Sequence, residues 1–255
     1  MKKKLSIILV ISLCLIFFAF VEIKISSWNR QKESEKIMND YGLKLTDTTI
    51  YIPGIKKNYS FIYLSDLHIV AEKKDFAIPE WGATAFTRRA WASNGLGLSS
   101  AKQLEGWVKL ANEKKVDGFL TGGDEIDYLS KDNTDYMKKS LSKLEMPWVF
   151  TLGNHDAYKT SGGATPEFVP NDKMIKKLCI KNNPDCQVMN YDDFYIVSIG
   201  VNSAGVPTSV TKDALAQLKN LYSKKKPIIL IFHVPFETKN TKGLFDKTLE
   251  VWSAP

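Results

Sequence analysis

Short apolar runs alternating with longer amphipathic ones constrain this chain more than any other feature. The short runs cover residues 49–52, 61–64, 118–120, 148–152, 194–199 and 228–232, rich in Ile, Val, Phe and Tyr and bounded by Gly, Pro, Asn or Asp. They read as strands. Their nearly continuous apolarity predicts burial on both faces, and therefore sheets covered by helices. Between them, residues 101–115 place Leu104, Trp107, Val108 and Ala111 on one stripe of a helix. Residues 134–144, 172–181 and 212–223 read likewise. The alternation predicts an α/β domain with mostly short loops. Residues 70–100 break the pattern: they have no clean period and hold Pro79, Trp81, Arg88, Arg89 and Trp91. A segment this long without structure of its own is usually functional or mobile. A solvated loop is one reading, and a cap whose Arg88 or Arg89 grips an anion is the other.

The N-terminus follows a different logic. Three lysines precede residues 5–21, a run of 17 uncharged, mostly apolar residues. That is the short edge of the roughly 17–25 residues a spanning helix needs. The basic flank keeps the N-terminus in the cytoplasm and exports the rest. A cleaved signal peptide has the same shape, but no small-x-small site follows, only Ala19-Phe20-Val21-Glu22. The expected organisation is a signal-anchor or transmembrane segment over residues 1–23, a helical stalk or linker over 24–46 with a stop at Gly42, and a globular domain over 47–255. This predicts a single-pass protein of the cell membrane with its domain extracellular, or a secreted one if the N-terminal segment is cleaved.

Charge and cysteine content narrow the partners. The net charge of +7 comes from 35 Lys plus Arg against 28 Asp plus Glu, and the lysines are scattered through helical stretches. No arginine-rich or aromatic-interleaved block is present, so no nucleic-acid binding is predicted. Cys179 and Cys186 flank a short polar stretch. In an exported domain they pair into a small loop or remain two thiols.

The chemistry gathers at strand ends. The chain has three histidines, each beside a predicted strand: Asp66-Leu67-His68, Asn154-His155-Asp156 and Phe232-His233. A fourth strand ends in Gly122-Gly123-Asp124-Glu125-Ile126-Asp127. In α/β sheets ligands collect beyond the carboxyl ends of the strands, so parallel neighbours would bring all four turns together. Asp66, Asp124, Asp127 and Asp156 would then crowd one volume. Two like charges 4 Å apart cost about 4 kcal/mol at an effective dielectric of about 20, so such a cluster calls for cations. Carboxylate, imidazole and amide together suit Mn, Fe or Zn better than Ca.

The ordered series Asp66-x-His68, Gly123-Asp124, Gly153-Asn154-His155-Asp156 and His233 resembles the calcineurin-like metallophosphoesterase family, from about residue 49 to the C-terminus. The resemblance implies a four-layer α-β-β-α sandwich with the site at the strand ends. It implies a metal-dependent phosphoesterase, a phosphatase or phosphodiesterase, acting on phosphate esters with two divalent metal ions. Asp66 and His68 would hold the first metal, Asp124 would bridge, and Asn154 and His233 would hold the second. His155 would contact the phosphate as acid or transition-state stabiliser, with Asp156 orienting it from behind. Asp127 would be a helix cap or a supporting residue. The ions would activate a hydroxide for in-line attack on phosphorus.

The chain departs from the family pattern at its end. The family supplies further ligands from a Gly-His-x-His element, and no histidine follows His233 here. The domain over 47–255 is therefore expected to be C-terminally incomplete, as a piece of a longer protein or as a natural truncation. The alternative function is a catalytically impaired, surface-anchored binding module that retains the fold.

Overall fold

The computed structural model describes residues 2–71, 96–159, 167–168, 173–178, 186–200 and 208–233. Two three-stranded sheets organise them. In the first, β1 (Phe61–Leu64), β2 (Gly118–Thr121) and β3 (Trp148–Val149) lie in that order, all parallel. In the second, β6 (Cys186–Asn190) is antiparallel to β7 (Tyr195–Ile199), and β8 (Ile228–Phe232) is parallel to β7. A two-stranded ribbon, β4 (Tyr158–Lys159) with β5 (Glu167–Phe168), follows the site turn after β3.

Alternation along the strands sorts the core into layers. Phe119 of β2 points into a cluster with Leu104, Leu110, Met137 and Leu141 from the helices α2 (Ser100–Lys114) and α3 (Lys131–Leu141). Its neighbour Leu120 points the other way, into a cluster with Met189, Phe194, Ile196 and Ile231 between the sheets. Tyr195, Val197 and Ile199 of β7 face outward, onto Ala214, Leu218 and Leu221 of α4 (Thr208–Ser223). The architecture is thus α/β, with helices outside and two sheets between them. Full burial of a side chain such as Phe119 contributes on the order of 1.5–3 kcal/mol.

The helix ends follow local chemistry. Ser99 caps α2 by accepting from the Lys102 N–H, and Lys115 closes it in a left-handed conformation. Ser130 caps α3 by accepting from the Asn133 N–H, so capping is not the work of Asp127. α1 (Lys2–Tyr41) ends before Gly42, whose φ is +58°. Its side chains are described from Val21 onward, Ile23 excepted. The residues expected to form a stalk do not all stand free. Ser34, Ile37, Met38 and Tyr41 recur at helical spacing and pack against the domain beside α2, as does Leu43 just beyond the helix. Among the described residues no helix is long and apolar enough to cross a membrane.

One expectation shifts. Residues 49–52 are not a strand: Ile50 and Tyr51 are exposed and no ladder partner fixes them. β6 was not legible in advance, because Cys186, Gln187 and Asn190 interrupt its apolar pattern, yet its pairing with β7 buries Gln187 against the Phe150 backbone. Cys186 is buried in β6, while Cys179 lies outside the described residues, as do 72–95 and 234–255.

Candidate metal centre

The turns after β1 and β2 run side by side beyond the sheet. The Asp66 N–H donates to Gly123 O (2.9 Å), His68 N–H to Asp124 O (3.0 Å), Ile69 N–H to Glu125 O (2.9 Å) and Asp127 N–H to Ile69 O (3.1 Å). This zipper puts the side chains of Asp66 and His68 opposite those of Asp124 and Asp127. It also bends the backbone: Asp66, His68 and Asp124 all have left-handed φ, at +57°, +44° and +55°. Such a conformation costs an L-residue roughly 1–2 kcal/mol. Three such residues in one small region mark a place shaped for chemistry rather than stability.

Two glycines let the other turns close in. Gly123 has φ +101°, and a Cβ there would lie 2.7–2.8 Å from the His233 ring. A Cβ on Gly153 would sit inside van der Waals contact of Asp124 Oδ1. The turns after β3 and β8 therefore reach Asp124 only because these positions carry no side chain.

Two donor clusters result. His68, Asp127 and His155 form one, and Asp66, Asp124 and His233 the other; within each, the ligand atoms lie within 4.8 Å of one another. His68 Nε2 stands 4.0 Å from Asp124 Oδ2, so the clusters adjoin. Asp127 Oδ1 sits 3.2 Å from His68 Nδ1 and 3.5 Å from His155 Nδ1, and the His155 Nδ1–H donates to Asp127 O at 2.8 Å. The two rings meet edge to face with centroids 4.6 Å apart. Holding each Nδ1 this way assigns ligation or proton transfer to Nε2.

Asp156 sits among backbone amides. Its carboxylate is fully buried and accepts from three backbone N–H groups: Asp124 (2.9 Å), Ile126 (2.9 Å) and Gly153 (2.8 Å). It staples the β2 turn to the β3 turn, and the residue against the His155 ring is Asp127. A carboxylate placed beside three converging amides is held by them in preference to a single imidazole. Asn154 is half-buried in the same turn, next to His155, whose N–H donates to Asp124 Oδ1 (2.8 Å).

The electrostatics are those of a cation site. Burial pushes the Asp156 carboxyl up to about 7, with Asp124 adding to the rise and the three amides opposing it. Burial also pushes Asp124 up, but the hydrogen bond and charge of His233, with His155, outweigh it and hold the carboxyl below its ordinary value. Its hydrogen bond to Asp124 (3.2 Å), against burial, raises His233 to about 9, while His233 Nδ1–H donates to Gly122 O. Glu125 was passed over in the sequence because a single acid in an acidic turn carries no signal. It is fully buried, and neither oxygen forms a hydrogen bond, although the Gly122 and Gly123 amides lie close enough to ease its charge. Burial, then Asp156 and Asp66, pushes its carboxyl well up. Five acids thus share this region with three imidazoles. A hard or borderline divalent cation fits that donor set.

Aspartate and histidine pooled at the carboxyl ends of parallel strands define a metalloprotein of the α/β class, built to bind cations in a crevice. The sequence model of the calcineurin-like phosphoesterases matches residues 59–251, and the chain belongs to that family. A comparison with curated proteins finds no match. The family is one of hydrolases that use divalent metals on phosphate esters.

Proposed function

We propose that this protein hydrolyses phosphate esters at the outer cell surface, with two divalent cations in the crevice and residues 1–23 anchoring it. The observation that carries the hydrolytic part is the gathering of Asp66, His68, Asp124 and His233 around one crevice at the strand ends, with His155 beside them, inside a calcineurin-like phosphoesterase domain. Asp66, His68, Asp124, Asn154 and His233 would hold the cations. Mn, Fe or Zn bound there supplies Lewis acidity and lowers the pKa of a water.

The chain's own residues do the rest. Asp127 O fixes the proton on His155 Nδ1, and its carboxylate at 3.5 Å stabilises the imidazolium. His155 Nε2 is then the atom that would donate to a phosphoryl or leaving-group oxygen as charge builds there. Asp156 keeps the two turns in register so that His155 and Asp124 stay together. The basic flank and apolar run over residues 1–21 support anchoring with the domain outside.

The test uses the full chain loaded with Mn, supplied with p-nitrophenyl phosphate and its bis ester. Turnover that disappears with a chelator and returns with metal supports the reading. Stoichiometric metal binding with no turnover of either ester would replace it with the binding-module alternative.

A further inference from the structure

The direction of α1 carries information about which phosphate esters can reach the site. Tyr41 packs on Gly106 of α2 and its hydroxyl accepts from Lys109 Nζ, whereas Arg30 and Glu33 line a groove with Glu113. As residue numbers fall along α1 they rise along α2, so the two helices are antiparallel. α2 and α3 run in the same sense. Tyr136 Oη, midway along α3, donates to Ala101 O at the start of α2, and Asn112 Nδ2, near the end of α2, donates to Lys143 O just past the end of α3. α3 begins four residues after Asp127 of the metal centre, and α2 ends just before β2. Both helices therefore run from the site end of the sheet to its opposite end. α1 consequently points the same way as β1, β2 and β3, and its N-terminal half leaves the domain on the side remote from the metal centre.

We infer that the metal centre faces away from the membrane that holds α1, and that its substrate is a water-soluble phosphate ester arriving from the bulk phase, not a phospholipid of the anchoring bilayer. This rests on the hydrolytic and anchoring readings above. At 1.5 Å per residue, Val21 lies about 18 Å beyond Glu33, and α2 spans about 22 Å between that level and the site end. The metal centre thus stands on the order of 40 Å from the end of the apolar run. A helix tilt of roughly 40° shortens this only to about 30 Å. Ser34, Ile37, Met38 and Tyr41 fasten the helix to the domain, so the domain does not swing over freely.

Two measurements test this. In the first, the full chain is reconstituted into phosphatidylglycerol–phosphatidylcholine vesicles carrying a headgroup acceptor dye. A donor dye is attached at Lys102→Cys or at Lys114→Cys, with Cys14→Ser, Cys179→Ser and Cys186→Ala in the background. Energy transfer is expected to be weaker from position 102 than from 114. Equal or stronger transfer from 102, or failure of the protein to float with the vesicles, overturns the inference. The second uses the unaltered protein, so it does not depend on those variants folding. Mn-loaded protein in the same vesicles receives either soluble dioctanoyl phosphatidic acid or dioleoyl phosphatidic acid mixed into its own bilayer. Turnover of the soluble form with loss of turnover on the embedded form is the expected result, and equal rates on both overturn it. Failure on these and on both p-nitrophenyl esters ends the hydrolytic reading, while the fluorescence still decides the orientation.

Discussion

The two ends of the same parallel strands are built on opposite principles. At the carboxyl ends, three non-glycine residues take left-handed φ, five acids crowd three imidazoles, and Glu125 is buried without a hydrogen bond. At the amino ends, Tyr59, Phe61, Tyr191 and Phe194 pack as a ring cluster, with Tyr59 edge-on to Phe194 at 4.9 Å and Tyr191 stacked on Phe194 at 4.8 Å. There Asp117 accepts from the Ser60 N–H at 2.8 Å, and Tyr191 Oη donates to Asp117 O at 2.9 Å. The turns entering β1, β2 and β8 carry exposed lysines, among them Lys56, Lys57, Lys114, Lys115 and Lys225. One end is packed with aromatic rings, with the Tyr59 hydroxyl buried among them without a hydrogen bond, and the other holds strain and a crowd of acids that a cation would relieve. Stability and chemistry are thus separated along the strand axis.

Substitutions at the two ends should therefore fail in different ways. The largest effect is expected from Asp124→Ala, which removes the one carboxylate that His155, His233 and His68 all face. Bound metal and ester turnover should both fall to background; retention of full metal stoichiometry by elemental analysis would break the contrast. His155→Asn should lower kcat by about 10²–10⁴ while metal content stays unchanged. Phe194→Ala, at the opposite end, should cost about 3–5 kcal/mol in denaturant unfolding, with kcat per folded molecule untouched. A drop in kcat would show that the two ends are coupled.

Smaller effects sharpen the picture. Asp127→Asn should reduce metal affinity or kcat by about 10–100-fold, as expected for a residue that aims His68 and His155. If Asp156→Asn gave that signature and Asp127→Asn did not, the orienting role would revert to Asp156. Glu125→Leu should stabilise the metal-free protein by about 1–3 kcal/mol, because a buried carboxylate lacking a hydrogen bond is lost. A lower melting temperature in chelator would mean that Glu125 has a partner the metal-free chain already satisfies.

The sequence was enough for whatever depends on local pattern. β1, β2, α2 and β8 were readable from runs and stripes, since burial on one face or on both dictates the spacing of apolar residues. The convergence of Asp66, His68, Asp124, His155 and His233 was also readable, because turns at parallel strand ends share one crevice. β6 was not, since Gln187 is satisfied only by the distant Phe150 backbone. Nor were the surroundings of Asp127 and Asp156, which sit in similar acidic turns and differ in which donors face them. Tertiary structure alone decided those surroundings and the direction of α1 against α2. A hydrogen bond between residues some 30 apart leaves no periodic trace in the chain, and the sense in which two helices pack is set by contacts that exist only once both are in place.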